Sequence, residues 1–226
     1  MKIGHAHPRA IMHMLLRITF AILCISCLAA QIGIPERRVQ GNVIVSDPVQ
    51  IEPPATVHYL AADRWVLYDI ANCELHAFVE ADAGSRVQRL YWLQFEGYVP
   101  SRPDLHHTYD SPWHTTIGGL DFYVDTWVRA NTESIEPGSD RAHIEALMRA
   151  KGFQMPDGMM YVRLVHLLDE QKRKELMIIY GEDLAPTGFS AADLQKGGKA
   201  FGQWHGIEEG LVDRAQKRII LKEGKS

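Results

Sequence analysis

The chain has 226 residues, of which 24 are basic and 28 acidic, and its formal charge is −4 at neutral pH. The only dense basic run, Glu170–Glu175, carries its own glutamates, whereas nucleic-acid binding requires a basic face. We therefore predict no binding to nucleic acid, and the length is enough for one domain of ordinary size.

Residues 1–30 have the pattern of a secretory signal peptide. Lys2, Arg9 and Arg17 precede the apolar run Ile18–Ala30, and this leader contains no acid. The run is shorter than the roughly 20 apolar residues that a membrane-spanning helix needs. We predict cleavage after the last residue of the run and a secreted or periplasmic mature chain without a transmembrane span. The alternative is a buried N-terminal helix or strand.

The three cysteines divide between the leader and the mature chain. Cys24 and Cys27 form a C-x-x-C pair inside the apolar run, so we interpret them as part of the leader and not as a redox or metal motif. Acylation of Cys27 after cleavage, which would anchor a lipoprotein, is the alternative. The mature chain keeps only Cys73, and 21 basic residues against 28 acids give it a formal charge of −7.

The mature chain is predicted to begin with an extended N-terminal segment over residues 31–55. This segment contains four prolines and one peripheral strand, NVIVS. A single α+β domain is predicted over residues 56–226. Stretches rich in β-branched and aromatic residues predict its strands, and they cover residues 64–70, 74–80, 87–98, 120–128, 159–168 and 174–180.

Three helices are predicted. Ser139 or Asp140 caps the first, and Ser190 with an acid three residues later opens a short second helix. The last covers about residues 199–217. Glycine recurs at every fourth position from just before this helix, at Gly198, Gly202, Gly206 and Gly210. This spacing predicts close packing against a sheet or another helix. The predicted fold is α+β, with a single antiparallel β-sheet of about six strands and helices toward the C-terminal half. The helices are expected to cover one face of the sheet.

A histidine-rich connection, Asp104–Thr116, joins two of the predicted strands. It is part of a loop of about 20 residues, well beyond the usual length, and such loops tend to be functional. In an extended chain His106, Asp110 and His114 point to one side and His107 points away. Imidazole and carboxylate groups bind zinc or iron, so we predict a metal site at these three residues. A polar or catalytic lid and a hydrogen-bonded structural loop are the alternatives.

A second candidate site lies on one face of the predicted sheet. Alternation predicts that Phe122 faces the core while its neighbours face a small-ligand pocket of aromatic walls and carboxylates. If Asp125 serves a ligand, its removal should leave stability within about 1 kcal/mol. The alternative is a half-buried face beneath the long loop. The predicted ligand-binding residues are Trp92, Gln94, Glu96, Tyr123, Asp125 and Trp127, and the second strand is expected to add His76, Phe78 and Glu80.

The sequence identifies neither a reaction nor a cofactor, because it lacks the common nucleophile, zinc-protease and nucleotide-binding motifs. The first hypothesis is an exported module that binds a small molecule or an envelope protein on the sheet face and the 100–119 loop. The second is an exported hydrolase or metal-dependent enzyme that uses His106, Asp110, His114 and nearby carboxylates. The third is a structural envelope-associated protein without a pocket.

Overall fold

The computed structural model of the chain describes residues 38–40, 43–46 and 49–223. The predicted leader and its cleavage site lie outside them. The described strands are β1 (Arg38–Gln40), β2 (Val43–Ser46), β3 (Val49–Glu52), β4 (His58–Leu67), β5 (Ala71–Ala81), β6 (Val87–Tyr98), β7 (Trp113–Ile117), β8 (Leu120–Ala130), β9 (Gly158–Leu167), β10 (Lys174–Asp183) and β11 (Ile220–Glu223). The described α-helices are α1 (Asp140–Ala150), α2 (Ala191–Leu194) and α3 (Trp204–Arg218).

The main sheet is antiparallel and contains seven strands in the order β4-β5-β6-β10-β9-β8-β7. Six of them correspond to the predicted strands, which confirms the α+β class. The seventh, β7, lies inside the histidine-rich connection and pairs with β8. Gly118 and Gly119, both with positive φ, join the two strands. A Cβ atom on Gly118 would lie 2.5 Å from the carbonyl oxygen of Leu221, so this turn tolerates only glycine there.

A second sheet corrects the prediction of a single sheet. Its order is β1-β2-β3-β11, so the C-terminal strand pairs with a strand from the predicted extended segment. β2 lies within the peripheral strand predicted at NVIVS, whereas β1, β3 and β11 have three or four residues each and are too short for alternation to identify them from sequence.

Both faces of the seven-stranded sheet are covered. On the first face Phe122 and Val124 pack in one apolar cluster with buried residues of α2, α3 and the small sheet. On the second face α1 contributes Ile144 and Met148 to another cluster, whose edge includes Tyr109 from the long loop. The alternation predicted for β8 is therefore confirmed, whereas the prediction that helices cover only one face is wrong.

Local signals determine where the helices begin. The Ser139 hydroxyl accepts a hydrogen bond from the Ala142 amide and caps α1. Ser190 and Asp193 form a reciprocal capping box at α2. Within the described ranges, no helix combines the length and the apolar character needed to cross a membrane.

Candidate metal centre

The structure brings the predicted ligand-binding residues to one sheet face but leaves them in two groups. Trp92, Gln94 and Glu96 alternate along β6 and are linked by hydrogen bonds. Tyr123 and Trp127, on β8, pack against the apolar cluster that contains Trp92 and the buried side chains of α1. Strands β10 and β9 lie between β6 and β8, so the two groups are about 14 Å apart at the usual strand spacing.

Helix α1 covers the part of this face that contains Trp92 and Trp127. Trp92, Trp127, Ile144 and Met148 line a cavity of about 20 Å³ between the helix and the sheet. A space of that size holds about one water molecule. Trp127 stacks on Tyr161, with 5.2 Å between ring centroids.

Asp125 is an ion-pair partner. Arg163 donates two hydrogen bonds to its Oδ2 atom, at 2.7 Å and 3.2 Å, and the Ser111 hydroxyl donates a third at 3.0 Å. The carboxylate therefore ties the long loop to β9. The second strand also differs from the expectation: Phe78 packs on the opposite face, where the Tyr59 hydroxyl hydrogen-bonds to His76. The side chains that β5 contributes to the shared face include Leu75 and Ala77.

The predicted metal ligands His106, Asp110 and His114 are all exposed. His106 Nδ1 lies 3.4 Å from the backbone oxygen of Asp104, and the His114 ring packs against Tyr123. Metal binding by this trio stays a prediction, and the geometry gives it no support, because the three residues do not form a group of converging ligand atoms.

Within residues 38–40, 43–46 and 49–223, one group of three metal-binding side chains converges: Glu96, His107 and Glu175, whose ligand atoms lie within 4.8 Å of one another. Glu96 on β6 and Glu175 on β10 are directly opposite partners in the sheet. His107 comes from the long loop, and its Nδ1 atom is 2.9 Å from Glu175 Oε2. Glu175 and His107 are only 3% and 5% exposed, whereas Glu96 is partly exposed.

Neighbouring side chains hold the three residues in place. The Tyr109 hydroxyl donates a short hydrogen bond to Glu175 Oε2. The Gln94 amide donates to Glu96 Oε2 at 3.4 Å, and the Cys73 thiol lies 3.7 Å from the same oxygen.

The His107 ring lies near two aromatic rings, with centroids 4.4 Å from Tyr98 and 6.4 Å from Tyr109. Its Nε2 atom is buried and has no hydrogen-bond partner among the described residues. The imidazole therefore keeps one unsatisfied ring nitrogen at this position.

The electrostatics of the group reflect its burial. Burial and the negative charges of Glu175 and Asp140 raise the pKa of Glu96 to about 7. Burial opposes a charge on His107, but its hydrogen bond to Glu175 and the charge of that glutamate outweigh burial and raise the pKa of the imidazole. Burial also raises the pKa of Asp140. Two acids thus converge on His107, with Asp140 a further nearby negative charge on Glu96, and shifted pKa values of this kind concentrate at functional sites.

Sequence reasoning identified Glu96 but missed His107 and Glu175. His107 was expected to point away, since simple alternation was applied to an irregular loop. Glu175 lies at the charged start of the strand predicted over residues 174–180, and nothing in the sequence indicates that it is buried opposite Glu96. Comparison with protein-family models, characterised proteins and solved structures finds no match, so the site is interpreted from its geometry alone.

Proposed function

We propose that this chain is an exported protein that binds a divalent metal ion through Glu96, His107 and Glu175. The observation that carries the proposal is the convergence of their ligand atoms within 4.8 Å. Around a zinc ion with ligand distances of about 2.0–2.2 Å, neighbouring ligand atoms lie roughly 3–3.5 Å apart. The atoms of His107 and Glu175 are already this close, at 2.9 Å, so the adjustment required falls mainly on Glu96.

The chemistry of the ligand set favours zinc, iron(II) or manganese(II). Two carboxylates and an imidazole are typical ligands of these ions, whereas copper(I) selects thiolates and thioethers. Cys73 is the nearby sulfur, but burial and the charge of Glu96 raise the pKa of its thiol. Ionisation of Cys73 is therefore costly, and oxygen and nitrogen ligands are favoured.

Charge balance also supports a bound cation. Like charges directly opposite each other on neighbouring strands destabilise a sheet, and Glu96 and Glu175 are such a pair. Without an ion the repulsion is relieved by a proton on Glu96, whose pKa is about 7. A divalent cation would relieve it more completely, and its binding would release protons from the site.

Three protein ligands leave a coordination position for water or a substrate. An ion bound in this way lowers the pKa of its water and polarises a substrate oxygen, which supports the metal-dependent hydrolase hypothesis with ligands other than those predicted from sequence. Tyr109 and Gln94 would orient the two carboxylates through their hydrogen bonds. The partial exposure of Glu96 leaves one side of the site in contact with solvent.

Export is the second part of the proposal. It is supported by the basic and apolar pattern of residues 1–30. The predicted location is secreted or periplasmic, and acylation of Cys27 remains the lipoprotein alternative. An exported protein meets metal ions, small molecules and envelope proteins directly, and these are the proposed partners.

The test is metal analysis of protein purified from its natural host. Native mass spectrometry of the wild type should find about one metal ion per chain, and His107→Ala and Glu175→Gln, which keep two ligands, should retain much less of it after purification. His106→Ala removes an exposed imidazole next to the site and should keep the ion, which makes it the matched control. A folded wild type that neither retains nor takes up zinc, iron or manganese contradicts the proposal.

A second candidate function is small-ligand binding on the same face. The observation in its favour is the Trp127 indole nitrogen, which is buried without a hydrogen-bond partner among the described residues. Because the adjacent cavity is only about 20 Å³, a ligand would enter only if α1 moved. A small organic molecule retained in the native mass spectrum, and lost in Trp127→Phe, would favour this candidate.

A further inference from the structure

The long loop that carries His107 is held by one guanidinium group. Arg173 Nη1 donates hydrogen bonds to the carbonyl oxygens of Arg102 at 2.9 Å and Leu105 at 2.8 Å. Its Nη2 atom donates to the carbonyl oxygens of Tyr98 at 3.4 Å and Val99 at 3.2 Å. Four backbone acceptors from one eight-residue stretch thus converge on a single side chain.

Arg173 belongs to the same chain reversal as a candidate ligand. It lies two residues before Glu175, at the β9–β10 turn. Its amide donates to Asp169 Oδ1 at 2.7 Å, which fixes the turn. The turn also contacts the loop through a backbone hydrogen bond: the His107 amide donates to the Lys172 carbonyl at 2.7 Å. The turn therefore holds the loop at the point where His107 meets Glu175.

We propose that Arg173 is a positioning residue that sets the approach of His107 to Glu175 and so preorganises the metal site; this inference rests on the proposed function. The guanidinium is planar and offers five donors, and its four contacts reach one carbonyl at the end of β6 and three in the loop at fixed directions. A lysine ammonium carries the same charge but cannot span these four acceptors. Residues that orient metal ligands commonly change metal affinity 10–100-fold when they are replaced.

Zinc titration of metal-free protein tests the inference. Arg173→Lys should weaken zinc binding about 10-fold or more, in line with the usual effect of residues that orient ligands. Lys174→Ala removes a charge from an exposed neighbour without touching the loop carbonyls, and it should bind zinc like the wild type. Hydrogen exchange of metal-free protein should be faster over the 99–112 segment in Arg173→Lys only.

A double-mutant cycle separates positioning from a general structural effect. If Arg173 acts through His107, Arg173→Lys should have little further effect on the weak residual zinc affinity of His107→Ala, measured at zinc concentrations high enough to load its two remaining carboxylates. An equal loss in both backgrounds, or unchanged affinity and unchanged loop exchange, overturns the inference while leaving the proposed function intact. A wild type that binds no zinc, iron or manganese overturns both.

Discussion

Glu96 and Glu175 are the residues at which the candidate site departs most from an ordinary sheet. Carboxylates that lie directly opposite each other on neighbouring strands repel, and here they are largely removed from water. The shifted pKa of Glu96, about 7 against an ordinary 4.5, is the physical consequence. This residue should therefore make the stability of the metal-free protein depend on pH.

The free energy of unfolding of metal-free protein should fall as the pH rises from 4.5 to 7. In that window the unfolded chain loses the Glu96 proton while the folded chain keeps it, so the folded state binds more protons and loses stability with pH. Glu96→Gln should reduce this fall, to which the raised pKa of Asp140 also contributes, and it should be more stable than the wild type at pH 8, by roughly 1–3 kcal/mol.

His107 makes the free energy of unfolding fall further as the pH rises above 6.5, its ordinary pKa, because its pKa in the folded protein is raised. The Glu96→Gln variant should therefore keep a residual slope above pH 6.5. The measurement is denaturant unfolding at several pH values between pH 4.5 and pH 8 with a chelator present. A variant as pH-dependent as the wild type over pH 4.5–7 would show that the two carboxylates do not interact as described.

Phe122 and Asp125 test the two faces of β8. Phe122 is fully buried, so Phe122→Ala should cost about 3–5 kcal/mol through the cavity it creates. If Asp125 served a ligand, Asp125→Ala would leave stability within about 1 kcal/mol, but its three hydrogen bonds change this expectation to a loss of about 1–2 kcal/mol. Chemical denaturation measures both, and an unaltered Asp125→Ala would return that residue to a ligand-binding role.

Hydrophobic alternation predicted the long strands reliably, whereas the segments with irregular backbone were predicted poorly. The β6 strand was predicted with the bounds that the structure gives, because its apolar and aromatic run is long. The β4–β5 turn lies over residues 68–70, earlier than predicted, and Tyr68 and Asp69 have positive φ there. The β7 strand was missed because it is an edge strand with alternately exposed polar residues inside a histidine-rich segment.

The glycines of the C-terminal segment are a second case in which a sequence pattern gave a wrong prediction. Their four-residue spacing predicted close packing, but a Cβ atom on Gly202 or Gly206 would meet nothing within 4 Å. Gly198 lies before α3, where a Cβ atom would be 2.2 Å from the Ala192 carbonyl oxygen. The spacing therefore does not describe a packed helical face.

Gly206→Ala should stabilise the protein by about 0.5–1 kcal/mol, because alanine favours a helix and its methyl group has open space. Gly198→Ala is the matched control and should destabilise through its clash with the backbone. Thermal unfolding of both variants provides the measurement. A destabilised Gly206→Ala would indicate that something packs against this side of α3.

At the scale of the whole molecule, the sequence allowed the α+β class, six strands of the main sheet and the shared face of Trp92 and Trp127 to be predicted. It did not predict the second sheet, because β3 and β11 are distant in sequence and short. Nor did it predict the candidate metal centre. That group depends on the register that places Glu175 opposite Glu96 and on the path of a loop that returns His107 to the sheet.

Export also belongs to this scale. If residues 1–30 are a signal peptide, N-terminal sequencing of secreted or periplasmic protein should begin near Gln31. If Cys27 is instead acylated, the protein should be found in membranes and Cys27→Ala should release it. Recovery of the full-length chain from the cytoplasm of the natural host would contradict both forms of the prediction.

X-ray absorption spectroscopy of the zinc-loaded protein identifies the atoms that bind the ion. We expect a shell of oxygen and nitrogen at about 2.0–2.2 Å with the signature of one imidazole and no sulfur shell at about 2.3 Å. The imidazole signature should disappear in His107→Ala and remain in His106→Ala. An imidazole signature that survives His107→Ala, or a zinc–sulfur shell from Cys73, would contradict binding by Glu96, His107 and Glu175.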